Sequence, residues 1–190
     1  MRKLIVFNAI TLDGYFEGLN HDISWHAVDE EFNDFSIAQL HAVDTILFGR
    51  VTYEMMASYW PTPEALRDDQ EVAVLMNSTP KIVFSKTLDK AEWENTRLVT
   101  GDAAEEITRL KREPGKDLII FGSGKLTSGL TNQGLIDEYG IIVMPVILGK
   151  GTLLFKDVDH QVKLELIKSK TFRNGNVMVV YRPLREGDKK

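Results

Sequence analysis

The sequence predicts an α/β protein, a three-layer sandwich with a mostly parallel central sheet and antiparallel C-terminal strands. Three observations predict this fold. Short β-rich runs alternate with helical patterns through the first two thirds of the chain, as in a parallel sheet covered by helices. Runs such as residues 4–10 and 118–121 are largely apolar on both faces, which is typical of central strands. The last third is β-rich, and Asn174-Gly175 predicts a tight hairpin between the final two strands.

Composition indicates one globular domain over residues 1–183, with a disordered tail over residues 184–190. The chain has 190 residues, of which 43% are hydrophobic and 27% charged, and it contains no cysteine. Four histidines without paired helical spacing, together with the missing cysteines, lead us to expect no metal site. A net charge of −5 argues against a nucleic-acid partner. Without a signal peptide or a membrane-length apolar run, we expect a cytoplasmic protein that acts on a small molecule.

The predicted elements follow one another in order, and capping or helix-ending residues set several boundaries. Asp29 caps the first predicted helix, Trp60-Pro61 ends the second, and Gly101-Asp102 begins the fourth. A long loop spans residues 11–25. The predicted helices cover residues 30–42, 50–59, 64–76, 103–111 and 124–131. The predicted strands cover residues 4–10, 45–48, 81–84, 98–100, 117–121, 138–146, 153–155, 162–171 and 177–181.

The end of the second predicted strand carries residues suited to a phosphate group. Ligands of open α/β sheets bind at the carboxyl ends of the strands. Here Gly49 permits a close approach, and Arg50, Val51 and Thr52 begin a helix whose free N–H groups, cation and hydroxyl suit phosphate. The alternative is a plain glycine turn followed by a surface arginine.

Two further strand ends have a similar character. Ser85 and Lys86 follow the third strand and suit a phosphate monoester such as the 2′-phosphate of NADP, although this dipeptide is also common in ordinary turns. The fifth strand leads into a glycine-rich helix start that suits a pyrophosphate, formed by Gly122, Ser123, Gly124, Lys125 and Leu126. Its spacing is neither that of the Rossmann fingerprint nor that of a P-loop. Together the three ends predict a stretched dinucleotide site.

Four segments carry a family resemblance that extends over residues 2–183. They are Thr11-Leu12-Asp13-Gly14-Tyr15, Gly49-Arg50-Val51-Thr52-Tyr53-Glu54, Gly122-Ser123-Gly124-Lys125 and Pro145-Val146-Ile147-Leu148-Gly149-Lys150-Gly151. In this order and spacing they resemble the dihydrofolate reductase-like superfamily. The likeness is greatest to the stand-alone relatives of the reductase domain in bacterial riboflavin-biosynthesis deaminase-reductases.

The resemblance implies hydride transfer from NADPH to a small heterocycle, pterin-like or ribitylamino-pyrimidine-like, and a homodimer. Carried over by position, residues 49–52 with Ser85 and Lys86 would hold the adenosine phosphates, and residues 122–126 the pyrophosphate. Asp13 would lie near the nicotinamide or the substrate. A module that binds NADP(H) as a sensor or scaffold, without turnover, remains the alternative.

Candidate proton donors and substrate contacts come from the first predicted helix and its surroundings. An apolar stripe of Val28, Phe32, Phe35, Ala38 and Ala42 places Glu31 on the same face. Glu31 should therefore be buried with a raised pKa or face a ligand cleft, and Asp34 at the margin is the second candidate. The alternative is that acids at a helix start merely favour its dipole. Trp25, Phe35 and Tyr53 are the candidate substrate contacts.

Overall fold

A computed structural model of the chain describes residues 1–184, so the predicted tail lies, apart from Leu184, outside the described residues. The strands are β1 (Leu4–Thr11), β2 (Tyr15–Glu17), β3 (Val43–Gly49), β4 (Lys81–Phe84), β5 (Thr96–Val99), β6 (Asp117–Phe121), β7 (Glu138–Met144), β8 (Thr152–Leu153), β9 (Leu164–Thr171) and β10 (Val177–Pro183). The helices are α1 (Glu30–Ala42), α2 (Arg50–Tyr59), α3 (Pro63–Asp68), α4 (Gln70–Ser78), α5 (Ala103–Arg112) and α6 (Gly124–Asn132), with a 3₁₀ turn over Leu19–His21.

Eight strands form the central sheet, in the order β5-β4-β3-β6-β1-β7-β10-β9. The strands from β5 to β7 pair in parallel, whereas β10 runs antiparallel to both β7 and β9. This arrangement confirms the predicted mostly parallel sheet with antiparallel C-terminal strands. The carboxyl ends of β1, β3, β4 and β6 consequently meet at one edge of the sheet.

Alternate residues of the central strands fill two separate cores on the two faces of the sheet, which makes the three layers. On one face, Phe7, Phe48 and Val83 pack with Leu40 of α1, Tyr53 of α2 and Met76 of α4. On the other face, Val6, Leu47 and Ile82 pack with Ile107 of α5 and Leu130 of α6. Burial on both faces explains why these strands are apolar at successive positions.

Two parts of the predicted element order are wrong. The helix expected over residues 64–76 is interrupted at Asp69, whose carboxylate accepts a hydrogen bond from Val72 N at 3.1 Å and caps α4. The expected loop over residues 11–25 contains β2, which pairs with β8 in a separate two-stranded sheet. The predicted strand over residues 153–155 shares only Leu153 with the short β8, which lies outside the central sheet.

The buried face of α1 differs from the predicted stripe. Val28 is 55% exposed, and Ala38 and Ala42 are also exposed. The inward face instead follows Phe32, Ser36 and Leu40, spaced by four residues, with Phe35 and Gln39 beside them. No helix within residues 1–184 is both long and apolar enough to cross a membrane.

Candidate active site

Two adjoining depressions lie at the carboxyl edge of the parallel strands. The first, which we call the polar groove, has a volume of about 630 Å³ and runs between the starts of α2 and α6. Its walls include most of the predicted phosphate-binding residues, namely Gly49, Arg50, Val51, Thr52, Ser123, Gly124, Lys125 and Leu126. The structure therefore brings two of the three predicted strand ends together, and their role toward a cofactor stays a prediction.

Short hydrogen bonds join the two strand ends. The backbone N–H of Gly49 donates to Ser123 Oγ at 2.8 Å, and the backbone N–H of Ser123 donates to Thr52 Oγ1 at 2.9 Å. Gly122 has φ +59°, and a Cβ there would lie 2.8 Å from Thr52 Cγ2. Glycine is required at this position for its left-handed backbone and for the close approach of Thr52.

The helix starts in the polar groove differ from the others in the described chain. Helices α1, α3, α4 and α5 each have a side chain that accepts a hydrogen bond from their first turn. Helices α2 and α6 begin at Gly49 and Ser123 without any such side-chain cap. Their first backbone N–H groups are therefore available to an anion, which the positive end of each helix dipole also favours.

Three cationic side chains line the same groove. Arg50 is 43% exposed and pairs with Glu54 at 2.8 Å, one turn along α2. Lys125 and Lys156 are exposed. Within residues 1–184, the acidic residues that line the groove are Glu17 and Asp157. Cations beside uncapped helix starts are the donors that phosphate groups prefer.

The second depression, the apolar cleft, has a volume of about 200 Å³ and lies between β1 and helices α1, α2 and α4. Aromatic and sulfur-containing side chains dominate its wall: Phe7, Phe16, Phe32, Met55, Met56, Trp60, Met76 and Phe121. No lysine or arginine of the described residues lines it. The few polar groups on its wall, such as Asn8, Ser36 and Gln39, offer hydrogen bonds in an otherwise apolar cavity.

Five residues line both depressions and mark their junction: Phe16, Glu17, His21, Val51 and Thr52. At this point Nδ1 of His21 lies 2.8 Å from Oε2 of Glu17. Both belong to the segment that sequence reasoning treated as a loop, so neither was a predicted site residue. A three-residue strand followed by a three-residue 3₁₀ turn leaves no recognisable periodic signal.

His26 and Asn8 are polar groups of the apolar cleft that the sequence did not reveal. Burial lowers the pKa of His26 to about 4, and its Nε2 atom is buried without a hydrogen-bond partner in the described structure. Asn8 is 5% exposed, and its amide donates to the carbonyl of Gly122 at 3.3 Å. A buried polar atom without a partner is costly, so His26 Nε2 is suited to bond with a ligand.

Asp13 connects two of the family-like segments and lines neither depression. Its carboxylate accepts hydrogen bonds from Thr11 Oγ1 at 2.6 Å, Leu148 N at 3.2 Å and Gly149 N at 2.7 Å. The Thr11 hydroxyl above all, with the loop amides, lowers the pKa of Asp13. Asp13 therefore fixes the loop after β7 to the end of β1, and its ionised oxygens are already engaged.

The expectation for Glu31 is wrong. Its carboxylate accepts from the backbone N–H of Arg173 at 3.0 Å and pairs with Lys170 at 3.1 Å. These contacts, led by the Arg173 amide, lower its pKa, the opposite of the expected direction. Glu31 joins α1 to the β9–β10 hairpin, and Asp34 is exposed; neither lines the groove or the cleft.

The predicted substrate contacts occupy structural positions. Trp25 donates from Nε1 to the carbonyl of Asp22 at 3.1 Å. Phe35 packs between Phe7 and Phe172 in the core. Tyr53 is 4% exposed, and its hydroxyl accepts from Trp93 N at 3.0 Å. None of the three lines either depression. Aromatic side chains pack in protein cores as often as they contact ligands, so their residue type alone did not distinguish the two roles.

The third predicted strand end lies beside the polar groove rather than in it. Phe84, the last residue of β4, lines the groove, but Ser85 and Lys86 do not. The hydroxyl oxygen of Ser85 accepts from Thr87 N at 3.1 Å and from Leu88 N at 3.0 Å, which forms the turn.

Comparisons with known proteins place this geometry in a class. The model of the RibD C-terminal domain family matches residues 2–178. Among curated proteins of Bacillus subtilis, YyaP is 35% identical over 95% of this chain and 94% of its own length. YwjB is 30% identical over 90% of this chain and 92% of its own length.

Solved structures agree in fold. A Shewanella protein provisionally named for riboflavin biosynthesis has a TM-score of 0.75 and 26% identity, covering 96% of this chain and 99% of its own. A diaminohydroxyphosphoribosylaminopyrimidine deaminase/5-amino-6-(5-phosphoribosylamino)uracil reductase of Thermotoga maritima has a TM-score of 0.69 and 16% identity, covering 96% of this chain and 57% of its own. Dihydrofolate reductase of Enterococcus faecalis, complexed with NADP(H), has a TM-score of 0.64 and 17% identity, covering 95% and 96%.

The fold is therefore that of the dihydrofolate reductase-like α/β proteins, as the sequence predicted. Within that class, the chain belongs to the RibD C-terminal domain family. Membership in this family supports a reductase-type function.

Proposed function

We propose that the protein is an NADPH-dependent reductase that transfers a hydride to a small planar heterocycle. One observation carries the proposal: a groove with two uncapped helix starts and three cations adjoins an apolar cleft that no lysine or arginine of residues 1–184 lines. The first suits the phosphates of a dinucleotide, and the second suits flat, uncharged rings. Their junction is where a nicotinamide and a substrate would meet.

The donor set of the polar groove fits NADPH. Arg50 and Lys125 suit its phosphates, and the first amides of α2 and α6 would bind the pyrophosphate between them. Thr52 and Ser123 are engaged with each other and keep the two helix starts at a fixed separation. NADPH would supply the hydride, and the chain would supply position, exclusion of water and a proton.

The apolar cleft favours a pterin-like substrate over a phosphorylated ribitylamino-pyrimidine. The substrate named for the Thermotoga maritima protein carries a phosphoribosyl group. A phosphate in a cleft lined by methionines and aromatic rings would lose its hydration without gaining a cation. A flat ring system would pack against those side chains and bond at its edges to Asn8, Gln39 or His26.

A sensor or scaffold that binds NADP(H) without turnover is the second candidate. The observation in its favour is that Glu31 and Asp34, the predicted proton donors, lie outside both depressions, as does Asp13, which was expected near the nicotinamide or the substrate. Either protein is expected in the cytoplasm, where NADPH is available.

The homodimer is also part of the proposal. The edge strand β9 exposes Leu164, Leu166 and Ile167, at 40%, 52% and 49% of their surfaces. Unpaired backbone and apolar side chains on one edge suit pairing with a second copy. Light scattering should give twice the mass of one chain, and a monomeric mass would contradict the dimer.

The experiment that tests the function has two stages. NADPH binding is first measured by fluorescence transfer from the tryptophans, of which Trp60 lines the apolar cleft. NADPH oxidation is then followed at 340 nm with 7,8-dihydropterin and with 5-amino-6-(5-phosphoribosylamino)uracil, with and without its phosphate. We expect binding at micromolar concentrations and oxidation with the dihydropterin. Binding without oxidation by any of these favours the sensor, and no binding at tens of micromolar contradicts both candidates.

A further inference from the structure

We propose that His21, held by Glu17, is the proton donor of the reduction. This inference rests on the proposed function and adds the residues that complete its chemistry. It follows from where the pair lies, since both residues line the polar groove and the apolar cleft at their junction. Among histidine–carboxylate pairs of the described chain, no other occupies that junction.

The geometry of the pair leaves one ring nitrogen for a ligand. Nδ1 of His21 lies 2.8 Å from Oε2 of Glu17, whose side chain is only 13% exposed. A carboxylate on Nδ1 fixes the orientation of the ring. Nε2 is then free to donate, and the 56% exposure of the His21 side chain gives water access for reprotonation.

The backbone around the pair is tightly fixed. Glu17 pairs with Thr152 of β8, and a Cβ on Gly151 would lie 2.2 Å from the carbonyl oxygen of Glu17. Asn20 and His21 both adopt left-handed backbone conformations, with φ of 58° and 61°. Non-glycine residues at positive φ are uncommon and gather at functional sites, where the surrounding structure maintains them.

The other acid–base candidates are less suited to give a proton. Asp13 and Glu31 are ionised and hydrogen-bonded elsewhere. His26 shares the apolar cleft, but burial keeps its pKa at about 4, so at neutral pH it carries no proton to donate as an imidazolium. The charged and titratable groups that face the two depressions alongside His21 are Glu17, His26, Arg50, Lys125, Lys156 and Asp157.

The proposed step balances in atoms and electrons. The carbon of a C=N or C=O bond in the heterocycle accepts a hydride from NADPH, which leaves as NADP⁺. The nitrogen or oxygen of that bond takes the proton from Nε2 of His21. The heterocycle gains two electrons and two hydrogens, and His21 recovers its proton from solvent.

The test compares H21Q and E17Q with H160Q in the intact chain. His160 is the matched control because its Nδ1 also contacts a carboxylate, that of Asp159 at 2.7 Å, at 51% side-chain exposure and outside both depressions. With NADPH and 7,8-dihydropterin, H21Q should lose at least about 100-fold in kcat at pH 6.5, the range for a general acid. NADPH affinity should stay within about threefold.

The pH profile separates catalysis from structure. Wild-type kcat should fall with rising pH as His21 loses the proton that it donates, and the H21Q profile should lack this fall. E17Q, which alters the positioning of the ring, should move the profile, and H160Q should match the wild type. Loss of less than threefold in H21Q, or an unchanged profile, overturns the proposal.

An NMR titration supplies a readout independent of turnover. The ring Cε1–H signal of His21 is followed against pH with and without saturating NADP⁺, and that of His160 serves as reference. NADP⁺ should move the His21 titration midpoint by at least about 0.5 pH unit and leave that of His160 in place. An unmoved His21 overturns the proposal even if the protein oxidises NADPH. Failure of the wild type to oxidise NADPH while His21 responds instead contradicts the proposed reductase, and the proton step with it.

Discussion

The polar groove and the apolar cleft share a border and differ in almost every physical property. The groove is wide, carries Arg50, Lys125 and Lys156, and receives two helix starts without side-chain caps. The cleft is smaller, lined by methionine and aromatic side chains, and keeps His26 neutral through burial. One site is arranged for negative charge, whereas no lysine or arginine of the described residues lines the other, and Glu17 and His21 lie only at the border between the two.

The difference in local charge between the groove and the cleft shows how an acidic chain could bind an anionic ligand next to an uncharged one. The net charge of −5 says little, because a few cations at strand ends decide the local potential. Charged groups bound in the groove pay little desolvation there, since it opens to water, but would be strongly disfavoured a few residues away. Under the proposed function, selectivity for two chemically different ligands follows from that separation.

The largest expected effect is on the charge of the groove. The double variant R50A/K125A should weaken NADPH binding by about 100-fold, because two charge-assisted contacts to phosphate are lost at a partly exposed site. Titration calorimetry at low and high salt checks this, since the wild-type affinity should fall with salt more steeply than that of the variant. K168A on β9 is the control; an equal loss there would contradict a local phosphate site.

The next effect concerns charge in the cleft. Because the pKa of His26 is about 4 in the folded protein and about 6.5 when unfolded, protonation favours the unfolded chain. Well above pH 6.5, His26 is neutral in both states and does not lower the free energy of unfolding. As pH falls from 6.5 toward 4, the unfolded chain takes up the proton first, and the free energy of unfolding decreases. Between pH 6.5 and 5 this decrease should reach about 2 kcal/mol.

Urea unfolding gives the free energy of unfolding of the wild type and of H26Q at pH 6.5 and at pH 5. Between these two pH values the free energy of unfolding should fall further for the wild type than for H26Q. H160Q, at an exposed histidine, should decline like the wild type; parallel curves for wild type and H26Q would show that the cleft tolerates charge.

Gly122 lies against Thr52 between the two sites, and adding a single methyl group at this position should destabilise the protein. G122A forces a left-handed alanine against Thr52 and should cost about 1–2 kcal/mol of unfolding free energy. It should also weaken NADPH binding, because Thr52 and Ser123 separate. G129A in α6 has open space and should gain about 0.5–1 kcal/mol. Thermal unfolding of both variants checks the contrast, which equal shifts would refute.

The smallest effect is expected at Glu31. Its pairs with Lys170 and Arg173 are partly exposed and screened by solvent, so E31Q should change the free energy of unfolding only slightly. NADPH affinity and turnover should stay within about twofold, because Glu31 touches neither depression. A large fall in kcat at unchanged NADPH affinity would restore the catalytic role that the helix pattern predicted.

The polar groove was accessible from sequence because its parts are contiguous. Residues 49–52 and 122–126 each combine glycine, a hydroxyl and a cation directly after an apolar strand. Parallel strands bring such ends to one edge whatever the details of packing, so local patterns suffice. Ser85 and Lys86 follow the same pattern, yet their turn directs them outside the groove.

The apolar cleft was not accessible in this way. On α1 the cleft face includes Ser36 and Gln39, which a ligand site tolerates and a plain core would not. These polar residues weaken the apolar contrast, so counting hydrophobic spacing selected the exposed Val28, Ala38 and Ala42 instead. Glu31 followed from that wrong face. Glu17 and His21 depend on a short strand pairing across more than 130 residues of chain, which no local pattern encodes.

The most direct test of two separate sites is an amide NMR map of NADPH binding. With NADPH alone, we predict shifts at the first amides of α2, residues 50–52, and of α6, residues 124–126. The amides of Ser36 and Gln39 should stay in place until 7,8-dihydropterin is added. Shifts confined to the apolar cleft, or none at either helix start, would contradict the account.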